Sequence, residues 1–252
     1  MSSISVLIET KNLKPAGKEE SMIEQYAKDH GYTIHRAALS QLCRDRFKVT
    51  PDMIVSGSVG FVKQALRHVG THLPIHRPYP DELSHLLYRE VRYLHSLIDA
   101  KLMVAKGESL FVKPAEWKRF TGFVPEYEGD YRFNGTSNYI PVWISTVVNF
   151  VSEWRFYVVD GQLLSWQLAD HGGDINVKPD LNVALDAIER IHKAGKYPSA
   201  YVIDFGVLDT GQTALVEMND GFSFGAYGDL TADVLWQVTS TRWKELASSK
   251  KG

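Results

Sequence analysis

Apolar positions in the first eighty residues switch between two periods. Residues 5–9 (SVLIE) are nearly continuous in apolar character and predict a buried strand. Residues 18–30 then carry Met22, Ile23, Tyr26 and Ala27 at helical spacing, and Gly31 supplies a stop. A second short strand is expected over 32–35 and a third over 53–55, followed by a helix through Phe61, Ala65, Leu66 and Val69 that ends at Gly70. This alternation predicts a small, mostly parallel α/β domain over residues 1–80. Gly57 and Gly60 leave its third strand, but G-S-V-G matches neither the dinucleotide fingerprint nor the Walker loop, so we assign them to turn geometry.

Residues 73–80 contain three prolines and read as a connector. After it, Asp81 is placed to cap an amphipathic helix through Leu83, Leu86, Leu87, Val91, Leu94 and Leu97. From Leu110 the pattern becomes antiparallel β: 110–112, then 139–150, then 154–159 and 162–168 around the turn Asp160-Gly161. Asp180 caps a helix through Val183, Ala184, Ala187, Ile188 and Ile191, with Gly195 after it. Two further strands, 201–208 and 213–218, flank Asp209-Thr210-Gly211-Gln212, and a helix over 233–246 closes the chain.

Composition narrows the class. A chain of 252 residues that is 44% hydrophobic and 23% charged has room for a sizeable core and two subdomains, with the second placed at 81–252. A formal net charge of -2 argues against a generic partner of nucleic acid. No apolar run approaches the ~20 residues needed to span a bilayer, and the first nine residues lack a basic start before a long apolar stretch, so a cytoplasmic location is expected. Cys43 stands alone, which excludes an internal disulfide and a multi-cysteine metal site. His72, His76, His85 and His95 do not follow the H-E-x-x-H zinc spacing and are assigned to connector or polar-face positions. Oligomeric state is not legible.

Oxygen ligands inside the hairpin of residues 201–221 (YVIDFGVLDTGQTALVEMNDG) carry the most specific chemistry. With an even loop centred on Thr210 and Gly211, Ile203 faces Met218, Phe205 faces Val216 and Val207 faces Ala214, all on an apolar face. The opposite face then sets Asp204 against Glu217, with Asn219 two residues along. Directly opposed side chains have Cβ atoms roughly 4.5–5.5 Å apart, so two carboxylates there repel unless a cation intervenes. Mg²⁺ takes hard oxygen ligands and commonly combines one or two carboxylates with substrate phosphates. On spacing alone, a metal site and a solvated charged face both satisfy this pattern.

Four segments in order, FVKP (111–114), SEWRFYVVDGQLL (152–164), YVIDFGVLD (201–209) and VEMNDGFSFGAYG (216–228), resemble the ATP-grasp superfamily, closest to its clade labelled by two arginines and a lysine. The resemblance implies an α/β N-terminal domain followed by an α+β ATP-grasp fold, two subdomains whose antiparallel sheets enclose ATP. It further implies an ATP- and Mg-dependent, ADP-forming carboxylate-amine (C-N) ligase, which activates a carboxylate as an acyl phosphate and joins it to an amine. An amino acid, or the end of a peptide or protein, is the implied substrate. The rival readings are a non-catalytic nucleotide-binding regulatory protein and an ATP-dependent modification of RNA or a small molecule.

Residue by residue, the resemblance assigns Lys113 and Arg155 to phosphate. Asp204, Glu217 and Asn219 become the ligands of what are expected to be two magnesium ions, with Asp220 left to turn structure. Residues 142–145, including Trp143 and Ile144, occupy the place of the segment lining the adenine pocket, with backbone groups reading the base edge. The phosphate-covering loop departs from the family's glycine-rich pattern: 115–124 (AEWKRFTGFV) has only Gly122, and Lys118 and Arg119 are the candidates to supply positive charge instead. In residues 170–178, His171, Asp174 and Lys178 are candidates for approaching substrate, against ordinary loop polarity.

Overall fold

The computed structural model of the chain describes residues 4–117, 119–169 and 172–249. The N-terminal unit runs β1 (Ser5–Lys11), β2 (Lys14–Pro15), α1 (Lys18–Asp29), β3 (Thr33–Ala37), α2 (Leu39–Cys43), β4 (Met53–Ser56) and α3 (Val59–His68). β1 is central and pairs in parallel with both β3 and β4, as the strand–helix alternation requires, while β2 folds back antiparallel on the end of β1. Gly31 and Gly70 take positive φ (67° and 83°) and end α1 and α3 where the apolar periodicity stops. The two-residue strand β2 and the single-turn α2 are too short to leave a periodic signal.

Residues 81–105 depart from the single long helix expected there. A 3₁₀ turn, Asp81–Leu86, gives way at Tyr88 (φ 49°) to strand β5 (Val91–Leu94), and α4 (Leu97–Ala105) follows. Leu83 and Leu86 bury themselves, but Arg92 and Tyr93 stand between Val91 and Leu94 in a strand that pairs with a neighbour far along the chain. Tertiary pairing has overridden a local helical period.

β6 (Leu110–Pro114), β7 (Val142–Thr146) and β5 form a small antiparallel sheet in the order β5-β7-β6, packed on α4 through Leu97, Ala100, Val112 and Ile144. The larger sheet has the order β11-β10-β8-β9, from β8 (Phe150–Val159), β9 (Gln162–Leu168), β10 (Ala200–Leu208) and β11 (Thr213–Asp220). Asp160 and Gly161 both have positive φ (49° and 73°), the I′ geometry anticipated for the β8–β9 turn. Helix α5 (Leu181–Ala194), capped by the Asp180 side chain and stopped by Gly195 at φ 63°, covers one face of this sheet through Ala184, Ala187 and Ile188 against Trp154, Phe156 and Ile203.

The last helix, α6 (Ala232–Ser248), packs on the N-terminal unit. Trp236, Val238 and Trp243 join Ile8, Ile23 and Val62 in one core that also takes in Tyr157 and Val202 from the larger sheet. Arg242 on α6 donates to both oxygens of Asp220 at 2.6 Å, with both residues buried. Asp220, expected only to shape a turn, therefore anchors the closing helix. Gly221 follows it, and a Cβ there would lie 2.5 Å from the Ala200 carbonyl oxygen of the neighbouring strand. Because that obstacle is backbone, Gly221→Ala is expected to destabilise the fold by about 1–3 kcal/mol, read as a lower urea midpoint at unchanged slope.

Candidate active site

The hairpin β10–β11 pairs Ile203 with Met218 and Asp204 with Glu217, as the even-loop register required. Between Asp204 and Phe205 the register shifts: Phe205 pairs with Leu215 and Val207 with Thr213, so the expected Phe205–Val216 and Val207–Ala214 pairs do not form. A bulge at Val216 absorbs the extra residue, re-aiming the strand beside the carboxylates. Strand β8 lies on the other side of β10 and sets Arg155 directly against Asp204. Alternation then sends Trp154, Phe156 and Val158 under α5, while Arg155 and Tyr157 face the other way.

Each carboxylate of the opposed pair has its own cation. Arg155 Nε and an Nη donate to the two oxygens of Asp204 at 2.8 and 2.6 Å, a bidentate fork in which Asp204 has no exposed surface. Lys113, at the end of β6, bonds Glu217 Oε2, and the Asn219 side-chain amide donates to Glu217 Oε1 at 2.6 Å. Two carboxylates and two cations thus balance within one cluster. Tyr227 lies 4.9 Å under the Arg155 guanidinium, and Tyr79 lies 5.5 Å from the Lys113 ammonium.

Burial sets the titration of these groups against their partners. For Glu217, burial pushes the carboxyl upward, but the Lys113 ammonium and the Asn219 amide prevail and hold it at about 2. Burial raises Asp204, with Arg155 opposing it, and Arg155 itself is held above its ordinary value by Asp204 against the cost of burial. Lys113 is likewise raised, Glu217 outweighing the desolvation of a largely buried ammonium.

A cleft of about 480 Å³ opens onto this cluster, lined by Lys113, Arg155, Glu217, Asn219, His76 and Gly122 among others. The chain beyond Lys113 loops away and returns so that Phe123 bridges Val112 in both directions, at 2.8 and 3.0 Å. Gly122 sits tightly in that return, where a Cβ would meet Phe111 at 2.5 Å and Lys113 at 2.9 Å. The one glycine of this segment is required by contact with the site lysine.

His76 was assigned from sequence to the connector and carries more than that. Met218 N–H donates to Pro78 O at 2.8 Å, pinning the connector along the edge of β11, and the His76 ring stacks on Trp117 at 4.1 Å. Asn219 and Met218 approach the ring, but both ring nitrogens are buried without hydrogen-bond geometry to any partner among the described residues. Burial, and after it the Lys113 ammonium, lowers the imidazole to about 4, so it is neutral near pH 7. Sequence spacing held no signal for it, because its neighbours in space lie far along the chain.

The other expected positions fall apart from this cluster or within other roles. Arg119 pairs with Glu116 at 2.8 Å on the surface and lines a neighbouring cavity with Lys63 and Arg67. Residues 142–145 form the middle strand of the small sheet, so their backbone is committed to β5 on one side and β6 on the other. Ile144 points into the core beneath that sheet. The expectation that this backbone reads a base edge is corrected on that ground; Trp143, paired opposite Lys113, is the side chain that shares its face, and its Nε1 has no partner among the described residues. Asp174 accepts from Asn176 in an exposed loop, and Lys178 lies 5.8 Å from the rings of Trp154 and Trp166. Lys118 and His171 lie outside the described residues.

A family model for the ATP-grasp domain, family 2 of the clade labelled by two arginines and a lysine, matches residues 90–236, more than half of the chain and the whole span that builds this cluster. The chain belongs to that ATP-grasp family. The ATP-grasp fold also appears in solved structures at low identity. D-alanyl-alanine synthetase A from Vibrio cholerae superposes with a TM-score of 0.55 at 13% identity, covering 96% of this chain and 99% of that one. A RimK domain ATP-grasp protein from Sphaerobacter thermophilus gives 0.54 at 10% identity, covering 96% and 99%. N5-carboxyaminoimidazole synthetase from Staphylococcus aureus gives 0.52 at 11%, covering 96% and 78%. None of the curated proteins compared matches the sequence.

Membership brings ATP and Mg²⁺ as cofactors, and the donor set fits the metal. Among the described residues no group of three or more His, Cys, Asp or Glu could hold an ion. What the site offers is two carboxylates and an amide oxygen, too few for a closed protein cage and suited to an ion that keeps waters and phosphates.

Two outcomes follow from the ion pairs and the buried imidazole. Arg155→Met strands a carboxylate with no exposed surface and is expected to cost about 3–5 kcal/mol, while adding Asp204→Leu recovers most of the loss, both measured by urea unfolding. The unfolded chain protonates His76 near 6.5, above the folded value, so stability falls as pH drops from 6.5 toward 4, by about 1.4 kcal/mol per pH unit. His76→Phe removes that slope. Glu217 does not confuse the comparison, since its contribution is lost only as pH falls from 4.5 toward 2.

Proposed function

We propose that the chain is an ADP-forming ligase that uses MgATP to activate a carboxylate as an acyl phosphate and joins it to an amine. The observation that supports this best is the charge-balanced cluster of Lys113, Arg155, Asp204 and Glu217 at the floor of a single cleft. Phosphoryl transfer needs positioning and charge stabilisation more than covalent help from the protein. In this reading Lys113 and Arg155 turn from their carboxylates to phosphate oxygens, and Asp204, Glu217 and Asn219 are then left to hold Mg²⁺. Magnesium supplies the charge that offsets the phosphates. The ion pairs keep the buried Asp204 and the half-buried Glu217 compensated until then.

The adenine end belongs, in this reading, to residues 147–149, which join the small sheet to the large one just after the committed strand β7. Val147 is exposed there, and Asn149 is tied to Asp209 through its carbonyl. Carboxylate activation forms a bond from the substrate oxygen to the terminal phosphorus as ADP leaves; the amine then attacks the acyl carbon, phosphate departs, and the amine loses a proton. Two of the fold relatives are named synthetases, which is in keeping with ligation. A small carboxylate or a peptide end is the substrate class this site suits.

MgATP at 100 times its dissociation constant is expected to stabilise the protein by about 2.7 kcal/mol. Glu217→Gln is expected to keep the fold, lose that magnesium-dependent stabilisation and abolish turnover in a screen of amino acids and short peptides scored for ADP. Release of AMP, or wild-type turnover in the variant, would overturn the assignment.

A further inference from the structure

One buried group in the cleft has no part in the exchange of ion pairs. The imidazole of His76 has two ring nitrogens, both enclosed and both without a hydrogen-bond partner among the described residues. We infer that His76 is a positioning residue for the metal site, its ring N–H holding the side-chain oxygen of Asn219 toward magnesium when the nucleotide binds. This role rests on the reading of Asn219 as a magnesium ligand and adds to it the residue that orients that ligand.

A neutral imidazole has one N–H to give and one nitrogen to accept, and leaving both unmet in the interior costs stability. Buried polar groups are seldom left so, which is a reason to expect a partner that forms in another state of the site. The ring is not free to turn away. It stacks on Trp117 at 4.1 Å with 30° between the planes. Trp117 is itself held, its Nε1 donating to Pro74 O at 3.2 Å and its ring meeting Phe222 edge-on at 5.1 Å. On the other side of His76 the connector is fixed by Met218 N–H on Pro78 O at 2.8 Å. What can change is the partner at the ring edge. The Asn219 side chain and the Met218 backbone both act there, and both favour the protonated ring, as oxygen acceptors do.

Asn219 is the ligand that needs such a partner. Its side chain ends in an oxygen and an NH₂, and only the oxygen suits Mg²⁺. In the structure the NH₂ donates to Glu217 Oε1 at 2.6 Å. Once Glu217 turns from Lys113 to the metal, that bond alone no longer decides which end of the amide faces the ion. A donor on the oxygen side decides it. His76 lines the same cleft as Asn219 and Glu217, and its N–H has no other partner among the described residues. A neutral donor suits the task, because a cation in that place would repel the metal.

The test titrates the full chain with Mg²⁺ at saturating ATP and reads the gain in stability to urea. Without metal at pH 7.5, His76→Phe is expected to be at least as stable as wild type, because it keeps a ring on Trp117 and removes two unmet polar atoms. The same variant is expected to need about ten to a hundred times more Mg²⁺ for half of the gain, the effect of removing a group that orients a metal ligand. ATP binding in EDTA is expected to be unchanged, and His76→Gln, which restores an N–H donor, to recover part of the loss. Should the phenylalanine variant fold poorly, wild-type chain labelled with ¹⁵N-histidine tests the same contact: Mg²⁺ with ADP is expected to slow solvent exchange of one ring N–H, assigned by its absence in His76→Gln. An unchanged Mg²⁺ midpoint in His76→Phe, equal weakening of ATP with and without metal, or no slowed ring N–H overturns the positioning role. ADP release on the same samples separates the two readings. A shifted midpoint with no ADP released from any amino acid or short peptide sinks the ligase reading alone, and no Mg²⁺-dependent gain in wild type sinks both.

Discussion

Two carboxylates set face to face inside a sheet are the constraint around which this molecule is organised. Asp204 and Glu217 are opposed by the register of their hairpin, and neither the low dielectric of the interior nor their closeness tolerates two bare negative charges. Each is satisfied from a different direction. β8 brings Arg155 from the other side of β10 within the same sheet, and β6 brings Lys113 from the separate small sheet. The two sheets are thereby joined across the cleft by an ion pair whose partners are 104 residues apart in sequence. Lys113 alone reaches across the cleft from the opposite wall, while Arg155 shares the sheet of both carboxylates.

Under the proposed function, that arrangement suits a protein that must wait for its cofactors. An unpaired buried carboxylate would destabilise the fold, and a permanent pair would block metal and phosphate. In the proposed reading, pairing each anion with a cation that can turn to phosphate resolves the conflict, because the same exchange would leave every charge compensated with MgATP bound. The bulge at Val216 and the tight seat of Gly122 against Lys113 show local backbone shaped to hold these partners in reach.

Much of this was legible along the chain, and the reasons for the exceptions are physical. The Asp160-Gly161 turn followed from its need for positive φ and α5 from its cap and stop, whereas the Asp204–Glu217 pairing expected from an even loop is present only because the bulge at Val216 offsets an odd one. The helix expected through Leu94 failed because Val91–Leu94 found strand partners in β7, a contact no local window contains. The base-reading role expected of residues 142–145 failed for a related reason, since a strand paired on both edges has no free backbone to offer. His76, Tyr227 and Arg242 escaped notice as site or anchor residues because each acts through neighbours distant in sequence.

The packing of α6 into the N-terminal core bears on how the chain comes to be folded at all. Ile8, Ile23 and Val62 complete their core only with Trp236, Val238 and Trp243, which leave the ribosome long after them. The first parallel sheet must therefore remain incompletely buried until α6 has been made. Long-range closure of this kind slows folding and lengthens the time for which apolar surface is open to misassociation. A truncation within α6 would accordingly be felt first at the opposite end of the polypeptide.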